Sequence, residues 1–294
     1  MHKFLRAVGF SESIGRVDYE SLVQKIAIEA DTRTYTSISD ETMLAVFCKE
    51  FAPGIGIAVC GEFDENNQFF YEYSYPYLKG NIISSYEDVT VERHAAKESY
   101  AGVFDDPKIG VTIIFYLQNI IPYIRAKNAG LLPIHGTSVM LSALSVSGTI
   151  VMPLAKNEDT KARATKAVKN RSRLIEAARH GDEEALENLT LDDMDTYTAI
   201  SKKIQKEDIF TIVDTSFMPY GVECDQYSIL GEIKETEVLT NQLTGEEIYR
   251  LQLECNDILL EVCINKKDLY GEPAVGRRFK GLIWLQGYIN YPTE

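Results

Sequence analysis

The sequence predicts an α+β fold in three parts: a mixed N-terminal domain with a largely antiparallel sheet, a helical hairpin, and a small C-terminal β-barrel or sandwich. Three observations support this prediction. Strand-like segments separated by turn residues occupy residues 1–155, strong helix formers fill residues 156–208, and four alternating segments follow in residues 209–294. We expect the domain boundaries to lie between these ranges.

The N-terminal part combines one helix with a series of strands. Residues 18–30 repeat apolar side chains at helical spacing, and Asp18 can cap the first turn. The segments that follow are separated by turn residues such as Pro53-Gly54. The predicted strands are residues 43–51, 55–63, 68–77 and, with a weaker pattern, 89–94.

The end of this part supplies further strand candidates. Residues 109–124 are the most apolar stretch, but they are too short to span a bilayer, so we expect a buried strand leading into a turn or short helix. Residues 138–146 and 149–154 flank Ser147-Gly148, which favours a two-residue hairpin. Hairpins in series predict an antiparallel sheet.

Residues 156–208 differ sharply in composition from the rest of the chain. We expect Gly181 to end one helix and Asp182 to cap the next. Residues 156–179 carry 8 basic and 3 acidic side chains, whereas residues 180–208 carry 3 and 9. This polarised charge predicts a helical hairpin whose arms pair with each other or present a basic face to an acidic partner.

The last part is predicted to be β structure. Four segments alternate apolar and polar residues and are separated by turn residues within a short length of chain. This spacing is typical of a small sandwich or a partly closed barrel, including one of the oligonucleotide-binding type. The predicted strands are residues 227–239, 247–255, 258–264 and 277–289.

The net charge and the cysteine content limit which compartment and which partners we expect. The formal net charge of −14 favours solubility and disfavours binding to nucleic-acid phosphates or anionic membranes. The opening MHKFLRAVGF lacks the features of a signal peptide, and the 5 scattered cysteines do not indicate a disulfide framework. We therefore expect a cytoplasmic protein that does not associate with membranes and whose thiols pack as small apolar groups.

No motif in the sequence assigns a catalytic, cofactor-binding or metal-binding residue. The glycine patterns of nucleotide sites, the H-E-x-x-H and C-x-x-C metal patterns and the G-x-S-x-G nucleophile pattern are all absent from the sequence. The sequence therefore predicts no cofactor and no metal, and it favours a protein that is not an enzyme. The alternative is an enzyme whose site is assembled from the scattered residues His94, His135, Glu223 and Asp225.

Three groups of residues are candidates for a binding surface. They are Tyr71, Tyr73 and Tyr75 on an aromatic strand, Lys166, Lys169 and Arg173 on a basic helix face, and Arg278, Lys280 and Trp284 on the last strand. The tyrosines belong to a row that recurs at every second residue, so it projects from one face and either stacks on a ligand or packs into the core. The last group either meets an anionic, stackable ligand or forms internal salt bridges.

Four stretches are similar to one known family: the opening MHKFLRAVGF, residues 181–197 (GDEEALENLTLDDMDTY), residues 217–233 (FMPYGVECDQYSILGEI) and residues 279–289 (FKGLIWLQGYI). Together they resemble a family of uncharacterised proteins from Gram-positive anaerobic bacteria, classed as a domain of unknown function. The resemblance covers essentially the whole chain, and residues 217–233 are its most specific part. It implies a bacterial cytosolic protein and carries over no functional residue.

These observations favour a non-catalytic cytosolic interaction or regulatory protein whose partner is another protein. Single-stranded nucleic acid is the first alternative ligand, bound by the basic helix and the face of Arg278, Lys280 and Trp284, although the net charge disfavours it. An enzyme with a site outside the known motifs is the second alternative. The sequence does not determine the oligomeric state.

Overall fold

The chain is built mainly of strands, as a computed structural model shows for residues 2–11, 16–39, 42–93, 99–106, 111–153, 173–174, 177, 182, 184–185, 187–189, 213–222 and 224–292. The helices named here are α1 (Arg16–Glu29), α2 (Ile120–Asn128) and two 3-10 helices, Lys3–Val8 and Lys266–Asp268. The strands are β1 (Thr32–Ser37), β2 (Met43–Ala52), β3 (Ile55–Phe63), β4 (Phe69–Leu78), β5 (Thr90–Arg93), β6 (Tyr100–Asp106), β7 (Val111–Leu117), β8 (Ser138–Val151), β9 (Ser216–Pro219), β10 (Gln226–Thr240), β11 (Glu247–Cys255), β12 (Ile258–Asn265), β13 (Leu269–Tyr270) and β14 (Arg278–Asn290).

The prediction of an α+β fold is wrong, because the described residues form a mostly β protein. The predicted strands of the N-terminal and C-terminal parts are present, but the chain adds β1, β6, β9 and β13, which the sequence analysis does not predict. β7 and α2 confirm the buried strand and short helix expected within residues 109–124. The two sheets form one continuous core, to which the helices contribute only single faces.

The first sheet consists of four consecutive antiparallel strands, β1 to β4. Its hairpin turns use left-handed backbone conformations: φ is 70° at Gly54 and 59° at Asn67. Helix α1 packs on β2 and β3 and buries Val23 and Ile26. One face of this sheet is thus covered by α1, and the opposite face packs on the rest of the molecule.

Five strands of the second, ten-stranded sheet close into a barrel. β8 pairs in parallel with β12 and antiparallel with β14, while β10, β11 and β12 form a meander and β10 also pairs with β14. These are the neighbours found in the oligonucleotide-binding barrel, with the strand that ends that fold placed first in the chain. Alternate residues fill the interior: Leu251, Leu253, Leu260, Val262, Phe279, Ile283 and Leu285.

The barrel takes strands from both sides of residues 156–208. β8 lies before that range and the other four barrel strands lie after it, while β7, β6 and β5 extend the sheet beyond β14. Within the range, Asp182 Oδ1 accepts a hydrogen bond from the Ala185 amide at 3.1 Å, which confirms the predicted helix cap. The rest of the predicted helical hairpin lies largely outside the described residues, and the domain boundaries stay a prediction.

The hairpin predicted at Ser147-Gly148 is wrong, because β8 runs unbroken from Ser138–Val151. The pairing of β8 with β14 contains a bulge near these residues instead of a turn. A Cβ atom built on Gly148 would lie 2.4 Å from Cε2 of Phe279, so the glycine makes room for that buried ring. Glycine is therefore required here by the close approach of a neighbouring side chain within a strand, and not by a turn.

Buried amides join the two sheets without a strand pair. The Gln286 side chain donates to Pro76 O at 2.8 Å and accepts from the Leu78 amide at 3.3 Å. Gln118 donates to both Gln286 Oε1 and Leu78 O at 2.9 Å. Because Gln286 is fully buried, these bonds fix the end of β4 against the outside of the barrel.

Candidate functional site

The three predicted residues of the last strand share one face, but most of that face is buried. Arg278, Lys280 and Trp284 alternate with the buried interior residues of β14, so they share the outer face of the barrel. Trp284 is only 5% exposed: its ring centroid lies 4.4 Å from that of His2 and 5.5 Å from that of Phe4. Lys280 alone of the three is exposed.

Arg278 is a buried anchor, with 3% of its surface exposed. Its guanidinium donates to Met152 O at 2.9 Å and to Val213 O at 2.8 Å. Burial lowers the pKa of Arg278, and the nearby carboxylates of Asp214 and Glu232 oppose this effect. The side chain thus binds backbone carbonyls on both sides of residues 154–212 and is not open to an external anion.

A bulge splits the aromatic row of β4. Tyr71 pairs with Gly61 and Tyr73 pairs with Cys60, so a register shift places Tyr71 and Tyr73 on opposite faces of the sheet. Tyr71 is 49% exposed, Tyr73 is half-buried and Tyr75 is buried against Tyr116 and Trp284. The expectation that the whole row projects from one face is therefore wrong.

Only part of the predicted basic helix face lies within the described residues. Lys166 and Lys169 lie outside the described residues, and Arg173 is exposed. The structure therefore separates the predicted surface residues: Tyr71, Arg173 and Lys280 are exposed, whereas Tyr75, Arg278 and Trp284 are buried. The rings of Tyr75 and Trp284 contact each other edge to face, and both rings are buried.

Of the proposed catalytic quartet, His94 and Glu223 lie outside the described residues, and His135 and Asp225 have separate partners. His135 Nδ1 lies 2.8 Å from Asp88 Oδ2 in an exposed loop. Asp225 instead accepts a hydrogen bond from Trp284 Nε1 at 2.6 Å. The hydrogen bond from His135 and that from the Gly136 amide lower the pKa of Asp88, as expected for a carboxylate that organises a loop.

Most cysteines are buried thiols. Burial raises the pKa of Cys48 and of Cys255 to about 12, and it raises the pKa of Cys60 and Cys263 still further. A thiol with so high a pKa is protonated at neutral pH and is a poor nucleophile. Cys224 is exposed.

The barrel face that binds ligands in oligonucleotide-binding proteins is covered in this chain. That face corresponds to the outer side of β11 and β12. Cys263 Sγ donates to Ala7 O at 3.0 Å, and Asn265 donates to Arg6 O at 3.3 Å. The N-terminal 3-10 helix therefore lies across this face, and the Asn81 amide donates to Glu261 beside it.

The described residues form an open cleft of about 1060 Å³ between α1 and one end of the barrel. Its apolar floor consists of Phe10, Leu22 and Leu243, and Leu243 is 53% exposed at the turn between β10 and β11. A second hollow of about 170 Å³ shares Leu22, Lys25 and Leu243 with it. The two hollows thus flank one helix and meet at one exposed leucine.

The turn that carries Leu243 is held rigidly. Asn241 is fully buried: its side-chain oxygen accepts from the amides of Leu243 and Thr244 at 2.9 and 3.0 Å. Its Nδ2 donates to Val8 O at 2.8 Å, and Thr244 Oγ1 donates to Gly9 O at 2.7 Å. The turn is thereby fixed to the N-terminal segment, so this wall of the cleft is preformed.

The carboxylate of Glu246 forms the base of the opposite wall, and it accepts hydrogen bonds from several neighbours. Glu246 accepts hydrogen bonds from the Ser11 hydroxyl, from the Ser11 amide at 3.0 Å, from Lys267 at 2.8 Å and from Asn265 at 2.7 Å. Burial acts to raise the pKa of Glu246, but the bonds from Lys267, Ser11 and Asn265 outweigh it and lower the pKa to about 2. Such a carboxylate is a weak base, and it pairs with Lys267 across the wall.

Charge around the cleft is balanced. Three acidic and three basic side chains line it: Asp18, Glu246, Glu247, Lys25, Lys266 and Lys267. Lys266 lies 2.7 Å from Glu247 across the strand pair. A surface of this kind favours a ligand that itself carries both signs of charge.

Sequence reasoning missed this site, although a signal for it was present. The pairs Glu246-Glu247 and Lys266-Lys267 stand at the start of β11 and the end of β12, which are neighbouring strands. In an antiparallel hairpin these ends meet, so opposite charges face each other. The sequence does not show that α1 packs beside these charged pairs, and only the structure reveals it.

Comparison with known proteins identifies the family. The family model for a domain of unknown function, DUF3881, described from a gene of E. rectale, matches residues 5–287. This chain belongs to that family. The match confirms the resemblance to an uncharacterised family represented in a Gram-positive anaerobe.

No curated protein and no solved structure matches the chain. In the described ranges, no helix has the length and apolar character that crossing a membrane requires. The same residues contain no group of three or more His, Cys, Asp or Glu side chains placed to hold a metal ion.

Proposed function

We propose that this protein is a non-catalytic, cytosolic interaction protein that holds a polypeptide segment of a protein partner in the cleft beside α1. The observation that carries the proposal is the combination of an apolar floor with three acidic and three basic side chains. A polypeptide segment offers apolar side chains and charges of both signs. The cleft lies at the upper end of the about 300–1,000 Å³ that is typical of small-molecule sites, so it has room for several side chains of such a segment.

The surroundings of the cleft support a protein partner over single-stranded nucleic acid. Nucleic-acid sites combine an excess of basic groups with exposed aromatic rings. Here Trp284 and Arg278 are buried, and the N-terminal 3-10 helix covers the face of β11 and β12. The net charge of −14 acts in the same direction.

The chemistry of the polar wall supports a binding role over a catalytic one. Activation of the Ser11 hydroxyl would need a neutral lysine or a basic carboxylate beside it. Lys267 donates to Ser11 Oγ at 3.0 Å but is paired with Glu246, whose pKa is about 2. Glu246 is thus held in its charged form, which suits a structural network.

Cross-linking in bacterial lysate tests this proposal. The full-length protein is treated with an amine-reactive cross-linker, and linked peptides are identified by mass spectrometry. We expect Lys25, Lys266 or Lys267 to link to one recurrent protein, and Leu243→Asp to abolish these links by charging the apolar floor. Val275→Asp is the matched control, because Val275 is also exposed but does not line the cleft.

The controls make the outcome decisive. Both variants replace exposed side chains, so each should unfold within about 0.5 kcal/mol of the parent. Links that survive Leu243→Asp, or that gather at lysines away from the cleft, would contradict the proposal. Binding of labelled single-stranded DNA that weakens steeply with salt would favour the nucleic-acid alternative instead.

A further inference from the structure

The two edges of the first sheet differ in how they are protected. The edge at β1 is closed by α2: Arg125 donates to Tyr35 O at 2.7 Å, and Asn128 donates to Ser37 O at 2.8 Å. The opposite edge belongs to β4, and only its C-terminal half is closed. There Gln286 binds Pro76 O, and Ser142 donates to Leu78 O at 2.6 Å.

Within the described residues, three positions in the N-terminal half of β4 lack such backbone cover. The backbone of Phe69, Tyr71 and Ser74 makes no hydrogen bond there outside its pairing with β3 and its own hairpin. Phe70 is 50% and Tyr71 is 49% exposed. Phe70 and Tyr71 are neighbours in the strand, so their side chains point to opposite faces and both faces of the edge present an aromatic ring.

An uncovered edge with exposed aromatic residues is a template for strand addition. Backbone groups at such an edge pair with an extended segment, and side chains on the two faces select what the segment carries. The aromatic composition of β4 favours an extended backbone. The bulge twists the edge, which limits the added strand to a short length.

Charge indicates the kind of segment. Residues 50–78 contain five acidic residues and neither lysine nor arginine. Glu62 lies opposite Phe70 in β3, and Asp64 sits in the turn that joins β3 to β4. The edge is therefore aromatic and flanked by negative charge.

We propose that the edge of β4 at residues 69–74 binds an extended, alternating basic and apolar segment of a partner protein as an added strand. This surface is separate from the cleft beside α1, so it stands independently of the function proposed there. A second copy of the chain fits the edge less well, because antiparallel self-pairing would bring two acidic hairpins together.

Amide hydrogen exchange measured by NMR tests this inference on the full-length protein. The probe is an eight-residue peptide of alternating lysine and valine with blocked ends. At a peptide concentration of ten times Kd, the amides of Phe69, Tyr71 and Ser74 should exchange about tenfold more slowly. Two further peptides serve as controls, one with glutamate in place of lysine and one with a central proline.

Two variants separate edge pairing from general attraction to an acidic protein. The double variant Phe70→Lys, Tyr71→Lys should abolish the slower exchange, because it charges both faces of the edge. Met43→Lys should preserve it: Met43 is also exposed, but β2 pairs with β1 and β3 on both sides. Unchanged circular dichroism verifies that both variants fold.

The outcomes that overturn the inference are specific. Exchange that slows equally with the glutamate peptide, or that slows at residues outside the edge, would show non-specific binding. Exchange that stays unchanged with the lysine peptide would show that the edge does not accept this strand. Slower exchange without peptide that follows dimer formation in sedimentation would assign the edge to a second copy.

Discussion

The outer face of β14 and the cleft beside α1 use similar side chains with opposite results. The first combines Arg278 with Trp284, and the fold buries both. The second combines Lys25 and Glu246 with Leu243, and the fold leaves it open. The difference lies in what packs on each: an N-terminal segment and carbonyl groups cover the first, whereas rigid turns hold the walls of the second apart.

Burial, more than residue type, therefore decides which charged and aromatic groups can meet a partner. A cation and an indole ring on one strand face are a ligand signature only where solvent reaches them. In this protein they stabilise the contact between the barrel and the rest of the chain. Three substitutions test this comparison.

Trp284→Ala should produce the largest effect. It removes a ring that contacts His2, Phe4 and Tyr116, and the expected loss is about 4 kcal/mol in the free energy of unfolding. Urea denaturation followed by circular dichroism measures it. Trp284→Phe keeps a ring but loses the bond to Asp225, so it should lose about 1 kcal/mol; equal losses in both variants would mean that packing is not what this residue supplies.

Arg278→Met should produce an intermediate effect. It leaves the carbonyls of Met152 and Val213 without their donor, and the expected loss is about 2 kcal/mol. Lys280→Met, on the same strand face but exposed, should change stability by less than about 0.5 kcal/mol. If Lys280→Met destabilised the protein as much as Arg278→Met, the distinction between buried and open charges on this face would fail.

Glu246→Gln should produce an effect that depends on pH. The folded protein holds the pKa of Glu246 at about 2, below the ordinary value of about 4.3. The ionised carboxylate thus stabilises the fold fully above the ordinary value, and this contribution is lost as the pH falls towards 2. The stability difference between parent and variant should shrink over that window, as urea denaturation at stepped pH would show.

A matched variant supplies the background for the pH measurement. Glu237→Gln changes an exposed glutamate on β10, and the difference from the parent should stay small across the same pH range. A difference that grew for Glu246→Gln as the pH fell would contradict the hydrogen-bond account of the cleft wall.

The strands were more predictable than their arrangement. The segments around β2, β3, β4, β10, β11, β12 and β14 follow from alternation and turn residues, because those signals are local. The closure of the barrel by β8 is not local: it joins residues at distant positions in the chain, and Gly148 resembles a turn residue until the Phe279 ring beside it is known.

The candidate site was less predictable for the same reason. The charged pairs of β11 and β12 are visible in the sequence, but their exposure depends on where α1 and the N-terminal segment pack. The aromatic row of β4 shows the opposite error. A single bulged residue reverses the side of the sheet on which Tyr71 lies.

The order of strands in the barrel also constrains how the protein forms during synthesis. β8 leaves the ribosome long before its neighbours in the barrel, because Val139 in β8 pairs with Ile289 in β14, which is synthesised much later. The nascent protein must therefore carry an incompletely paired apolar strand until β14 has been synthesised. Early termination would leave that strand exposed, so truncated chains should be prone to aggregation and a good target for chaperones.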